Sequence, residues 1–431
     1  MIQLPQDFIT RMKKQLGPEA PAFFTCYEQS PKRGLRVNGL RITPKAFSAL
    51  SPFALTPSDI LPEGFLLMGD APAIGSHPYH LAGLFYLQEP SAMAPIAALA
   101  VRPGMRVLDL CAAPGGKSGG IAAHLAGRGL LVANELVPGR AKTLRYNLER
   151  LGVTNAAVTC NRPDVLCEAL AGFFDAVLVD APCSGEGMFR KDPNAIAEWS
   201  PAHVLACAQR QKAILESAAK AVAAGGALVY STCTFSPEEN EGVVEAFCAS
   251  HKDFSLLSMQ RLYPHTFPGE GHFVARLQRT GAPAGEKIKP QRLALQPCKE
   301  AAYRDFCAEA LAAPPAGEIV LLPDGRVLAL AEALPRGLER ARLLTAGVYA
   351  GDMVNGRFRP SHALAMATGV EWRQTLPLEG EALNAYLQGQ VVPAPGLQGW
   401  CRAAVDGYPL GLGKAVEGML KNHLPKGLRL A

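Results

Sequence analysis

Two cysteines stand where a nucleophile would be useful. Cys183 ends the segment Asp180-Ala181-Pro182-Cys183-Ser184-Gly185, and Cys233 lies in Ser231-Thr232-Cys233-Thr234. Each follows a short apolar run, residues 175–180 and 227–231, that reads as a buried strand. Open parallel sheets bind ligands beyond the carboxyl ends of their strands, and these two strands are expected to be neighbours. A pair of thiols beside the carboxylate of Asp180 therefore suits covalent chemistry, against the rival reading of small buried hydrophobes. Ser236-Pro237-Glu238-Glu239 has the make-up of a helix start, with Ser236 as cap, Pro237 in first position and Glu239 completing a capping box. A helix is expected just after Cys233, its positive end near the thiol.

A second feature follows the run at residues 105–110. Cys111-Ala112-Ala113-Pro114-Gly115-Gly116-Lys117-Ser118 places small residues and two glycines where a strand turns into a helix, so a ligand can approach the backbone. A phosphate loop ending in Gly116-Lys117-Ser118 would need glycine at Cys111, and the dinucleotide fingerprint fails because Gly115 and Gly116 are adjacent. Glu135, at the end of the next strand and about 20 residues on, is positioned to accept hydrogen bonds from ribose hydroxyls. A nucleoside cofactor without an obligatory pyrophosphate fits; the rival is a structural turn with a surface Glu.

The elements that must hold these residues alternate as in a parallel sheet covered by helices. Strands are expected at 105–110, 130–134, 156–160, 175–180 and 227–231, with a late pairing of 254–257 and 273–277. This α/β, Rossmann-like core spans residues 93–280. An α+β domain precedes it at 1–92, a linker of small residues occupies 281–290, an α+β module with a hairpin at 318–322 and 326–330 covers 291–370, and a last module covers 371–431. With 431 residues, 48% hydrophobic and 19% charged, the chain is neither disordered nor membrane-spanning. No secretory signal is visible, so a cytoplasmic protein is expected. The 11 cysteines contain no CxxC pair and indicate neither a disulfide framework nor a zinc site. The net charge of +5 decides little alone, but Lys32, Arg33, Arg36, Arg41 and Lys45 form a run without acids, either a phosphate-contacting patch or a solvated basic face.

In their order, Asp109-Leu110-Cys111-Ala112-Ala113-Pro114-Gly115-Gly116-Lys117, the Asp180–Gly185 segment and the Ser231–Thr234 segment resemble the signature blocks of the RNA cytosine-5 methyltransferases of the nucleolar-protein and Sun type. Tyr86-Leu87-Gln88-Glu89-Pro90-Ser91-Ala92 and Gly187-Met188-Phe189-Arg190-Lys191-Asp192-Pro193 resemble the bacterial branch that acts on small-subunit ribosomal RNA. The likeness is strong over residues 1–280 and looser beyond, where the chain resembles PUA-type RNA-binding modules.

The resemblance implies a methyl group taken from S-adenosylmethionine, with Cys233 adding to carbon 6 of cytosine and Cys183 assisting the later elimination as a base or by promoting release. DNA cytosine methyltransferases use the cysteine after proline instead, which would be Cys183 here. By the same likeness Cys111 to Lys117, Glu135, Asp164 and Asp180 hold the cofactor, and Asp180 also meets the cytosine. Taken by itself, the Cys111 thiol reads as packing, and Lys117 is either an active-site contact or a surface helix residue. Arg190 and Lys191 are expected at phosphate. The family often carries an Asp-Gly-Arg-like segment after the third strand, whereas this chain has Asn161-Arg162-Pro163-Asp164, so Asn161 or backbone groups compete with Asp164 for the adenine. The substrate is expected to be ribosomal RNA, single-stranded or flipped out at the target base. The rival from another class is a non-catalytic RNA-binding assembly factor that keeps the fold.

Overall fold

A computed structural model describes residues 2–69, 71, 73–281 and 292–430. Apart from Gly281, the expected linker lies outside the described residues. The central sheet is built from β1 (Arg106–Asp109), β2 (Leu130–Asn134), β3 (Ala156–Thr159), β4 (Phe174–Asp180), β5 (Val222–Thr232), β6 (Phe254–Leu262), β7 (His272–Arg279) and β8 (Leu343–Ala346). Their order is β6-β7-β5-β4-β1-β2-β3-β8, parallel from β5 through β3, with β7 antiparallel to β5 and β8 antiparallel to β3. β4 and β5 are neighbours, as the apolar runs required, and the pairing of β6 with β7 is longer than its sequence signal.

The sheet is a core because its strands are apolar on both faces, as parallel strands flanked by helices must be. Leu108, Val132, Val177, Val179, Leu228 and Tyr230 lie in one buried cluster, and Val107, Leu131, Ala133, Leu178 and Val229 in another. Three helices follow their strands: α1 (Gly116–Leu125), α2 (Pro138–Leu151) and α3 (Pro201–Ala221). The strand order reverses between β1 and β4, so the ends of those two strands open the crevice in which such sheets bind ligands.

Arg36 and Arg41 do not belong to a surface basic patch. Arg36 is 2% exposed and donates to the carbonyl of Gly116 at 2.5 Å and to Gln88 Oε1. Its guanidinium lies against Gly119 and Gly120 of α1, where a Cβ would meet Leu151 at 2.5 Å or Ile96 at 2.6 Å. Those two glycines let the N-terminal domain press onto the helix that starts at the cofactor turn. Arg41 donates to the carbonyl of Met366, tying the same domain to the third module. Of the run, Lys32, Arg33 and Lys45 are exposed, Arg41 is half-buried and Arg36 is buried.

The last module folds as a five-stranded sheet that includes β9 (Gly399–Val405), β10 (Tyr408–Val416) and β11 (Met419–Asn422). It shares one buried cluster with the N-terminal domain, joining Leu35, Phe47 and Phe85 to Tyr386, Leu410 and Leu420. The expected hairpin forms, from Glu318–Leu321 and Arg326–Leu330. Among the described residues no helix is long and apolar enough to cross a membrane.

Candidate active site

The turn after β1 begins with the backbone. Gly115 has φ +112°, a conformation that L side chains rarely adopt, and a Cβ on Gly116 would meet the Tyr86 ring at 3.0 Å. Ala112 and Ala113 are buried, and Pro114 is exposed. Lys117, in the first turn of α1, donates to Asp180 Oδ2 at 2.7 Å with its side chain only 13% exposed. The surface-helix reading of Lys117 is therefore wrong. Asp180, at the end of β4, also accepts from Ser231 Oγ at 2.8 Å, and His272 Nε2 stands 3.5 Å from its Oδ1. Burial pushes the Asp180 carboxyl up, but Lys117 and His272 outweigh it and hold it well below the usual carboxylate range.

The two thiols meet. Cys183 Sγ and Cys233 Sγ are 3.2 Å apart, both partly exposed to a cavity of about 960 Å³. A hydrogen bond to Cys233 and then burial push the Cys183 thiol well above its ordinary range, so Cys183 is held protonated. The cavity runs from the two sulfurs past Asp180 and Cys111 to Glu135 and Asp164. The Cys111 thiol is pushed up by burial, which keeps it inert, as packing requires. Glu135 is 4% exposed; its Oε1 accepts from the Val137 amide at 2.9 Å, and Arg140 lies 3.5 Å from its Oε2. Asp164 sits at the rim, paired with Arg162 at 2.7 Å, its side chain 52% exposed. Asn161 Oδ1 accepts from the Arg342 amide, so that side chain is turned towards the third module. A smaller cavity of about 200 Å³ lies on the other side of the turn, between Tyr86, Gln88, Lys117 and Asp180.

Two buried carboxylates hold the cysteine loops together: Glu186, which carried no signal in the sequence, and Glu239, which read as part of a capping box. Glu186, three residues after Cys183, accepts from Thr234 Oγ1 at 2.8 Å, the Phe235 amide at 2.7 Å and Ser236 Oγ at 2.7 Å, all on the Cys233 loop. It also accepts from Trp199 Nε1 at 2.9 Å. Reciprocally, Glu239 from the Cys233 loop accepts from the Ser184 amide at 2.9 Å and from Gln211 at 2.7 Å. This overturns the expected helix start at Ser236. Both side chains that looked like a capping box are spent across the loops, and the helix (α4, Glu241–Ser250) begins only after Asn240. The helix start still meets the loop of the thiol, since Asn240 Oδ1 accepts from Thr232 Oγ1 at 2.6 Å and its side-chain nitrogen donates to the Thr234 carbonyl at 2.9 Å. Replacing Glu186 with Ala would leave four donors without their acceptor, each orphan costing about 1–3 kcal/mol. A loss of at least about 3 kcal/mol in urea unfolding is expected.

Arg190 is likewise not free for phosphate. Its Nε donates to Glu270 at 2.7 Å, with both side chains at most 3% exposed, and a second nitrogen donates to the Cys26 carbonyl. Lys191 alone of that expected pair is exposed.

Asp109, at the end of β1 and fully buried, accepts from Ser118 Oγ at 2.6 Å, while its other oxygen has no partner. Burial pushes its carboxyl up to about 7, against the hydrogen bond from Ser118. A raised carboxyl is kept protonated more readily in the fold than in the unfolded chain. Its contribution is fully present below the unfolded value of about 4 and is lost as pH rises towards 7. Asp109→Asn keeps the Ser118 bond, so its stability relative to the wild type should grow between pH 5 and 7 by up to a few kcal/mol, at about 1.4 kcal/mol per pKa unit, and then level off. Denaturant midpoints across that range check this; a gap independent of pH would be the contrary result.

Comparison with known proteins completes the description. Family models match residues 96–278 (16S rRNA methyltransferase RsmB/F), 4–90 (N-terminal domain of 16S rRNA methyltransferase RsmF), 305–368 (RsmF rRNA methyltransferase first C-terminal domain) and 373–430 (methyltransferase RsmF PUA domain). The ribosomal RNA small subunit methyltransferase F of Klebsiella pneumoniae (strain 342) is 34% identical, over 99% of this chain and 97% of its own. A solved methyltransferase homolog protein from Pyrococcus horikoshii is 30% identical with a TM-score of 0.57, covering 64% of this chain and 96% of that one. NSun6 from the same organism, solved with SFG, has a TM-score of 0.58 over 64% of this chain and 99% of its own; at 23% identity it speaks for the fold alone.

Proposed function

The chain belongs to the RsmB/F family of 16S rRNA methyltransferases, and from that premise we propose that it methylates carbon 5 of a cytosine in small-subunit ribosomal RNA through a covalent adduct with Cys233. The observation that carries this reading is the 3.2 Å approach of two thiols beside an ionised Asp180. A lone buried cysteine would need no such company.

The cavity fits an S-adenosyl donor and a flipped base together. Its volume lies at the upper end of small-molecule sites, and a nearly buried carboxylate, Glu135, stands at one end of it with the thiols at the other. Cys111 to Lys117, Glu135, Asp164 and Asp180 would hold the donor, Asp164 by giving up its exposed pairing with Arg162. S-adenosylmethionine supplies an electrophilic methyl group on a sulfonium centre.

Carbon 5 of cytosine is a poor nucleophile. Addition of the Cys233 sulfur to carbon 6 moves the ring electrons to carbon 5, which can then accept the methyl group. Asp180 orients the base at its amino edge, and Lys117, held against Asp180, keeps that carboxylate charged and fixed. Loss of the carbon 5 proton to solvent water restores the double bond and expels the Cys233 sulfur, which takes up the Cys183 proton. Cys183 serves that expulsion, since a thiol kept protonated can donate to the departing sulfur. The N-terminal domain and the last module grip the RNA, and the protein acts in the cytoplasm. Bisulfite sequencing of 16S rRNA from cells with and without the gene tests the reading: a cytosine methylated only in its presence is expected, and identical maps would refute it.

A further inference from the structure

The last module meets the third at a seam where cations gather around an aromatic ring. Trp400 of β9, Lys414 of β10 and Lys421 of β11 are direct cross-strand partners, so their side chains share one face of the sheet. One row further on that face, the buried Leu412 packs into the cluster of Phe306, Trp372 and Leu364 from the third module. The row of Trp400, Lys414 and Lys421 therefore emerges where the two modules join. Lys414 Nζ lies 5.7 Å from the centre of the Trp400 ring, and the exposed His423 meets that ring edge-on at 4.8 Å.

Two lysines directly opposite one another repel. Among the described residues neither forms an ion pair within 4 Å, and Arg359 approaches the same spot from the third module, close enough to depress His423. Asp352, the cross-strand neighbour of Arg359, is turned to the Tyr349 hydroxyl at 2.6 Å. Partial desolvation of the ring against Trp400, then Arg359 and Lys414, hold His423 below its ordinary value, which favours the neutral ring at pH 7. Cations with neutral aromatic rings between them are what a single-stranded nucleic acid requires: phosphates for the one, base faces for the other.

We propose that Trp400, Lys414, Lys421, His423 and Arg359 form an anchoring surface for a single-stranded segment of the RNA substrate, separate from the cavity that takes the target base. This rests on the reading of the protein as an RNA methyltransferase, and its test is independent of methylation. Binding of a fluorescein-labelled single-stranded oligoribonucleotide to the full chain is followed by anisotropy across a salt series. Losing two phosphate contacts in Lys414→Ala/Lys421→Ala should lower the slope of log K against log salt by about 1.4. Removing the stacking face in Trp400→Ala should weaken binding about fivefold or more. Relief of the repulsion offsets the lost contact between Lys414 and the Trp400 ring, so the lysine variant should melt close to the wild type, and that melting curve separates weaker binding from misfolding. Unchanged slope and affinity in the lysine variant would overturn the surface. Failure of the wild type to methylate 16S rRNA would strike the proposed function and leave this measurement standing.

Discussion

Cys233→Ala should abolish methyl transfer, by at least about 10³-fold, while Cys183→Ala should accumulate a stable protein–RNA adduct that survives denaturing electrophoresis. The contrast follows from the pair's geometry. Two sulfurs 3.2 Å apart cannot both be charged, and hydrogen bonding and burial keep the proton on Cys183. Without Cys233 no bond to carbon 6 forms. Without Cys183 the bond still forms, but the departing sulfur has lost its donor, so the reaction stalls after methylation. Labelled methyl donor separates the two outcomes, since the trapped adduct should carry label. An adduct from Cys233→Ala and none from Cys183→Ala would reverse the roles, as in the DNA enzymes.

Asp180→Asn should lower kcat by about 10²–10³-fold, the range for losing one preorganised electrostatic contact, with a smaller effect on RNA affinity. The amide can still meet Ser231, but it cannot balance Lys117, which is nearly buried. Breaking a buried pair from one side costs about 3–5 kcal/mol, and the partial exposure of Asp180 puts this case below that range. Asp180→Asn combined with Lys117→Met removes both charges. The double variant should recover most of the lost stability and none of the activity, which separates a chemical role from a structural one. Recovery of activity along with stability would show that Asp180 only holds the fold.

Much of this site was legible because parallel strands have a simple grammar. The apolar runs at 175–180 and 227–231 sit side by side as β4 and β5, and that alone brings residues 183 and 233 together. Glu135 was legible for the same reason, at the end of β2. What escaped was decided by loops and by other domains. Glu239 satisfied every local rule for a capping box, yet Ser184 on the neighbouring loop offered it a buried amide. Arg36 looked like a surface cation because nothing in its own stretch shows that Gly119 and Gly120 leave room for it. His272 carried no signal at all: it reaches Asp180 because β7 runs antiparallel beside β5.

The position of β8 bears on how the chain comes to be made. β3 is buried along its whole length, and its outer row of amides and carbonyls is satisfied by Leu343–Ala346, a stretch from the far side of the linker. At about 5–20 residues per second, that stretch leaves the ribosome roughly 10–40 s after β3. During that interval the nascent protein exposes an unpaired apolar edge, the usual template for aggregation. A fragment ending at residue 280 would keep every proposed catalytic residue and never lose that edge.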